Sequence, residues 1–468
     1  MFIELGTNPL NSQTVTWQKI LSNYSGRLVK AIQTSDNGFI TVGTGSVLNS
    51  KVYLQKFNYH GDSLWVRLFG NLSQAYDGNW VENTFDNGFI VCGSDANSPN
   101  SDGYLVKTDS FGNLIWDNNF GGLDFDQAKC VKQTTDSGYI LILRTYSFNG
   151  IQNIWLIKTN KQGNKIWENV FVSNSSQIAR EIIVLKDGYG IIGVAFNDIY
   201  FIRTDLKGDI LWTKRYGTSY LDAGYSIQST IDNGFIIGGI SYNSNNISNS
   251  LIIKTDSIGE VHWQKSYTAN YNELLFSVRI IPNKGYVFCG TTDSVKGNLE
   301  KGFVRIINFN GDVLHEKFYR VLPFFTEIHS IENTNDKGFI ICGVAQNIQG
   351  GNPQMYIAKT DSTGNINPVG ISNYSETIPI QINLHQNYPN PFNPSTLIKF
   401  DINKSMNVNL SIFDINGKKI LNLIDEYLNQ GNYEILFQPD IHSLSSSVYF
   451  YRLETPFNVS TRKMLFLK

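Results

Sequence analysis

The sequence predicts an all-β protein: a seven-bladed β-propeller over residues 12–365, followed by a second, small β domain over residues 383–468. Three observations predict it. A glycine-aromatic pair opens an apolar run seven times, at Gly38-Phe39, Gly88-Phe89, Gly138-Tyr139, Gly188-Tyr189, Gly234-Phe235, Gly285-Tyr286 and Gly338-Phe339. A period near 50 residues built from short strands is the signature of a propeller. Each unit also repeats the same turn chemistry, and the unit that lacks its last strand is matched by an orphan strand at the other end of the chain.

Each unit holds four strands, a to d. In the fifth these are Tyr225–Thr230, Gly234–Gly238, Leu251–Thr255 and a segment centred on Trp263. All are short, rich in β-branched and aromatic residues, and bounded by turn formers. Between a and b stands Asp36-Asn37-Gly38, repeated as Asp86-Asn87-Gly88, Asp136-Ser137-Gly138 and Asp232-Asn233-Gly234. Asp and Asn bond their own backbone and tolerate left-handed angles, and the glycine is expected to supply the positive φ. Between c and d, Asp109 to Gly112, Asp205 to Gly208 and Asp361 to Gly364 fit a type I turn with a glycine bulge. These carboxylates and amides therefore read as turn formers and not as ligands.

Trp65, Trp116, Trp167, Trp212 and Trp263 each follow that glycine by four residues, with His315 in the sixth unit. An aromatic stands four further on: Phe69, Phe120, Phe171, Tyr216, Tyr267 and Tyr319. The even spacing places both on one strand face, and packing between neighbouring blades is expected. The seventh unit has Pro368 where its tryptophan belongs, whereas the chain begins with an unattached strand around Trp17. The N-terminal strand is expected to complete the seventh blade and close the ring, which removes the open sheet edges.

The short a–b and c–d turns share one face of such a ring. The variable b–c loops and the d–a crossovers share the other, and function usually sits on loops held by a rigid scaffold. That face carries Tyr24, Tyr76, Phe125, Tyr220, Tyr271 and Phe324, the candidate ligand residues. It also carries Asp77, Asp124, Asp126 and Asp222, the candidates for the paired carboxylates that a polysaccharide-cleaving enzyme needs.

Bulk composition narrows the functional classes. The net charge is −2, charged residues are 17% and aromatics 13%, with no basic stripe for nucleic acid. No apolar run reaches the length of a membrane-spanning helix. Cys92, Cys289 and Cys342 occupy one repeated slot and Cys130 stands apart. Without metal-ligand spacing they read as small buried hydrophobes. No metal and no cofactor is expected.

Two resemblances add to this. The lysine-threonine-aspartate strand followed by glycine and tryptophan resembles the tryptophan-docking repeat of quinoprotein dehydrogenase propellers, without a comparable cluster of cofactor ligands. At the other end, Asn387-Tyr388-Pro389-Asn390-Pro391-Phe392 is followed by Asp414 with Gly417 and Lys418, then Gly431 with Tyr433, then Val448-Tyr449, then a terminal run from Lys463 to Lys468. This ordered set resembles the type A C-terminal sorting domain of the type IX (Por) secretion system of Bacteroidetes. The resemblance implies a seven-stranded immunoglobulin-like sandwich over 383–468, a linker over 366–382, the secretion machinery as partner, and a secreted or outer-surface location. It also implies a signal peptide. Residues 1–10 show none, so a misplaced start or a fragment is expected.

Together these features predict a secreted, non-enzymatic binding, adhesion or scaffold propeller, with a glycan or surface ligand as the candidate partner. The alternative is a secreted glycoside hydrolase or lyase on the same scaffold.

Overall fold

The structure is a computed structural model. It describes residues 15–46, 49–71, 73–95, 100–267, 271–293, 301–319, 324–347, 351–366, 372–375, 379–393, 395–428, 430–437 and 444–467. Side chains at 22, 324, 425–427 and 436, and those of 372–375, fall outside the description, as does Lys468. The chain divides into two units at Asn365 and Ile366.

The first unit is a ring of seven four-stranded antiparallel sheets. Five stand alone, and the first and seventh share one long strand, Trp17–Gln33. Its C-terminal half pairs with Phe39–Ser46 as strand a of blade 1. Its N-terminal half pairs with Gln354–Thr360 as strand d of blade 7, with Trp17 opposite Lys359 and Leu21 opposite Met355. One strand thus serves two blades and closes the ring. Trp17 is buried beside Phe39 and Phe57 at centroid distances of 5.7 and 6.2 Å, and its indole N–H donates to the Tyr59 carbonyl at 3.1 Å.

Two devices repeat from blade to blade. The first staples blades together. The tryptophan of strand d covers the c–d glycine of the next blade so closely that a Cβ at Gly112 would lie 2.6 Å from the Trp65 ring, and one at Gly163 2.5 Å from Trp116. These glycines have φ near +80°, as a type I turn with a glycine bulge requires. Where the following aromatic is tyrosine, its hydroxyl donates to the same glycine's carbonyl: Tyr216 to Gly259 and Tyr267 to Gly311, both at 2.8 Å.

The second device fixes the a–b turn. The strand c lysine is buried and its ammonium reaches the turn aspartate: Lys56–Asp36 at 2.8 Å, Lys107–Asp86 and Lys158–Asp136 at 2.9 Å, Lys254–Asp232 at 2.8 Å and Lys359–Asp336 at 2.9 Å. Arg203 and Asp187 take these places in blade 4. The same carboxylates accept from the backbone N–H of the turn glycine. One expectation is corrected here. In five blades the left-handed residue is not the glycine but the residue before it, Asn37, Asn87, Ser137, Asn233 or Lys337, with φ between 61° and 67°, while Gly188 and Gly285 in the other two have φ of 150° and 146°. The glycine is needed for close approach, since a Cβ on Gly38 would lie 2.3 Å from the Phe57 carbonyl oxygen.

The second unit packs two four-stranded sheets around a core that includes Phe392, Phe400, Ile412, Tyr451 and Phe466. One sheet runs Ser372–Ser375, Gly431–Phe437, Thr396–Ile402, Asn383–Leu384; the other runs Lys419–Leu428, Met406–Phe413, Ser447–Glu454, Val459–Phe466. That makes eight strands among the described residues. The additional one lies within 366–382, read from the sequence as linker, where Ser372 pairs with Glu434.

Candidate functional site

The innermost strand of every blade carries a β-bulge, and the seven bulges fall at one level of the central channel. The register skips one residue in each: Val29, Asn79, Lys129, Arg180, Tyr225, Phe276 and His329. A bulge re-aims the extra side chain. Here all seven line a single cavity of about 230 Å³ at the b–c loop end of the channel. The residue two positions further on is a buried aliphatic in every blade, from Ala31 and Val81 to Ile331, while the seven bulge residues are all different.

Below the mouth the channel is closed by charge. Arg279 lies between two carboxylates, 2.6 Å from Glu332 and 3.2 Å from Glu181, and Lys30 reaches Glu332 as well. Ser226 donates to Glu181 at 2.6 Å, and Lys132 pairs with Glu82 at 2.8 Å. Trp80 lies between the two ammonium groups, its ring centroid 4.2 Å from Lys30 and 4.9 Å from Lys132. Burial pushes the Glu332 carboxyl up, but Arg279 and Lys30 outweigh it and hold it at about 2. Three cations and three anions thus neutralise one another across the ring.

A larger depression of about 900 Å³ opens on the a–b and c–d turn face, and this network is its floor. Its charged floor is already satisfied internally. The unpaired groups lie at the other end, on the loop face.

The residues singled out in the sequence are dispersed. Tyr76 is buried against Tyr104 at 5.0 Å, and Tyr24 packs edge-on to Tyr53 at 5.1 Å. Phe125 lies under the Arg144 guanidinium at 4.7 Å, Tyr271 is half-buried, and Tyr220 is exposed. The Phe324 side chain lies outside the described residues. None of the other five lines the mouth cavity. The acids are dispersed too, over blades 2, 3 and 5. Asp77 accepts from Thr44, Asp124 accepts from the neighbouring backbone N–H of Phe125, Asp126 accepts from Gly122 N–H and Ser147, and Asp222 accepts from Thr218. Asp126 and Asp222 hold the crossovers in place. No group of three or more histidine, cysteine, aspartate or glutamate residues among the described residues could hold a metal.

In the second unit the first sequence motif acts as a latch on the last strand. Asn387 is buried, its amide donating to Thr396 at 2.9 Å and to the Pro389 carbonyl at 3.1 Å, while its backbone N–H donates to the Tyr451 hydroxyl at 2.7 Å. The Asn390 side chain accepts from Leu465 N–H, and Phe392 exchanges backbone bonds with Leu465 and Leu467 while its ring lies 5.3 Å from Phe466. Pro389 and Pro391 follow cis peptide bonds within this segment. Gln386 and Asn390 donate to the Lys463 carbonyl, and the Lys463 side chain itself is exposed. Asp414 accepts from the backbone of Asn416 and Lys418 around Gly417. Tyr433, beside the strand-opening Gly431, stacks on Phe400 at 5.4 Å. Val448 is half-buried, and the hydroxyl of buried Tyr449 donates to the Ser445 carbonyl. Tyr388 points outward, 80% exposed.

The two units therefore define a β-propeller followed by a β-sandwich whose signature residues build its own framework. Residues 386–467 match the secretion system C-terminal sorting domain, the Por secretion tail. The tail supports export by the type IX route, to the cell surface or beyond. No curated protein matches the chain. Among solved structures it is similar to a puromycin hydrolase variant complexed with PGG, at 10% identity and a TM-score of 0.50, covering 80% of this chain and 58% of that one. It is also similar to Sqt1 from Chaetomium thermophilum, at 8% identity and a TM-score of 0.43, covering 70% and 83%, and to a prolyl endopeptidase, at 11% identity and a TM-score of 0.43, covering 81% and 55%. The chain thus spans less than two thirds of the length of the puromycin hydrolase and of the prolyl endopeptidase. At these identities the likeness concerns the propeller fold alone.

Proposed function

We propose that this protein is a non-enzymatic binding propeller, exported by the type IX machinery and released or displayed outside the cell, that takes its ligand at the b–c loop end of the central channel. The observation that supports this is the bulge ring. A repeat that keeps its aliphatic packing residues and its turns places a different residue at the bulge of every blade, and those seven residues line one cavity. Adhesion or scaffolding is the expected role, with the sorting domain recognised by the secretion machinery. The tryptophan-on-glycine staple favours a propeller of the tryptophan-docking kind. A glycan array probed with the full chain tests the binding role. Reproducible hits lost in Tyr225→Ala support it, and hits untouched by that change count against it. For export, deleting residues 383–468 should leave the propeller inside the cell envelope.

One observation favours the alternative of a polysaccharide-acting enzyme. Burial, with Asp95 and Asp126 close by, raises the Asp102 carboxyl on the loop face, and a general acid needs such a shift. Turnover of a glycan that disappears in Asp102→Asn would establish that reading.

A further inference from the structure

The mouth of the channel holds cations that form no ion pair with a carboxylate among the described residues. Lys129 and Arg180 stand on adjacent blades and line the cavity. Lys129 makes no hydrogen bond or ion pair among the described residues. The Nε of Arg180 is buried without a partner, and so is the Nε of Arg144 behind it. Both guanidinium groups lie over rings, Arg180 at 4.9 Å from Tyr225 and Arg144 at 4.7 Å from Phe125. Elsewhere in the channel every comparable cation has a carboxylate: Lys30, Lys132 and Arg279 are all paired. Withdrawing cations from water without a counter-charge is unfavourable, and such uncompensated charge gathers where a ligand will supply the partner.

From Arg180 onward the wall of the same cavity is aromatic. Tyr225, Phe276 and His329 form a row of edge-to-face rings, with centroids 5.6 and 5.5 Å apart. A few charged groups facing an apolar wall is the usual composition of a small-molecule pocket. The volume, about 230 Å³, is several times the roughly 30 Å³ that one water occupies in the liquid, so it admits one ring of a larger molecule. The positive charge is a compact cluster and not a stripe, which suits one acidic group and not a nucleic-acid backbone.

We propose that the channel mouth binds an acidic saccharide, its carboxylate or sulfate held by Lys129 and Arg180 and its ring laid against Tyr225, Phe276 and His329. This rests on the binding role proposed above and names its ligand class. The charge environment supports it. Burial, followed by Arg144, Arg180 and Arg27, pushes the Lys129 ammonium down to about 7, and Asp77 opposes this. An anion favours the protonated amine, so affinity should rise as pH falls through about 7. His329 faces the same cavity, its ring held by the Leu28 carbonyl and Glu327 at 3.0 Å each. The Lys129→Met variant separates the two, since it should lose the pH step if lysine carries it.

The test is calorimetric titration of the full chain with oligogalacturonate, with a sulfated oligosaccharide and with a neutral oligosaccharide of equal length. At least one acidic ligand should bind about tenfold or more tightly than the neutral one, and Lys129→Met and Arg180→Met should each weaken it by a similar factor at unchanged melting temperature. The better acidic ligand identifies the charged group. Equal binding of the neutral sugar, indifference to both substitutions, or no acidic binding at all would overturn the assignment. Neutral binding that is lost in Tyr225→Ala would do so while leaving the binding role standing.

Discussion

At the residue scale, the chemistry that looks catalytic in the sequence is mostly structural, and the stabilising contacts are specific enough to test. Arg279 holds two buried carboxylates, Glu181 and Glu332, at the closed waist of the channel. Arg279→Met should lower the unfolding free energy by about 3–5 kcal/mol, because Glu181 loses its only counter-charge among the described residues and Glu332 is left with Lys30 alone; denaturant titration reads it. Gly163→Ala places a methyl on the Trp116 ring at a left-handed φ of 81°, and should destabilise the propeller by about 1–3 kcal/mol. The turn aspartates set an acid limit. At Asp136 and Asp232 burial raises the carboxyl, but the paired lysine, the turn threonine and the glycine N–H outweigh it and hold both at about 2. A folded-state value below the unfolded one stabilises above the unfolded pKa, and that stability is lost as pH falls through the folded value. Stability should therefore fall between about pH 4 and pH 2, and Asp136→Asn should flatten that slope in acid titrations. The carboxylates are half exposed, so each contributes little, and the effect comes from repetition.

At the element scale, two segments hold their units together from a distance. The strand Trp17–Leu21 supplies the fourth strand of the seventh blade although it opens the described chain. Removing residues 1–22 would expose the edge of Gln354–Thr360 and the pocket around Phe39 and Phe57, and should lower the propeller's melting temperature sharply in calorimetry. In the second unit the Asn387–Phe392 segment clamps Val459–Phe466 through Asn390 and Phe392. Phe392→Ala should destabilise that unit by about 3–5 kcal/mol, from lost contact with Phe437 and Phe466. Loss of export with it would follow from the motif's structural role. The exposed Tyr388 separates the two functions: Tyr388→Ala should leave the melting temperature unchanged, so an export defect there reports recognition.

At the scale of the whole molecule, the architecture was legible because it is repeated. Glycine, asparagine and aspartate mark each turn, and the orphan Trp17 strand together with Pro368 indicates the closure. The role of the strand c lysine was not legible. Its aspartate lies about 20 residues earlier, and only strand pairing joins them, as with Lys158 and Asp136. The site was hidden for a sharper reason. A bulge breaks the two-residue alternation, so Lys129, Arg180 and Tyr225 occupy no regular inward position, and their common level appears only when seven registers are laid side by side. The loop aromatics were easier to see, yet Tyr76 and Tyr24 pack against Tyr104 and Tyr53.

The central claim is that seven equivalent strands present seven different residues to one ligand. The most direct measurement is a glycan array with three forms of the full chain: the native protein, Tyr225→Ala with Phe276→Ala in the mouth, and Phe111→Ser on the opposite turn face. The native and Phe111→Ser proteins should share the same hits, and the mouth variant should lose them with its fold intact. Hits that survive in the mouth variant but vanish in Phe111→Ser would place binding on the turn face and contradict the account.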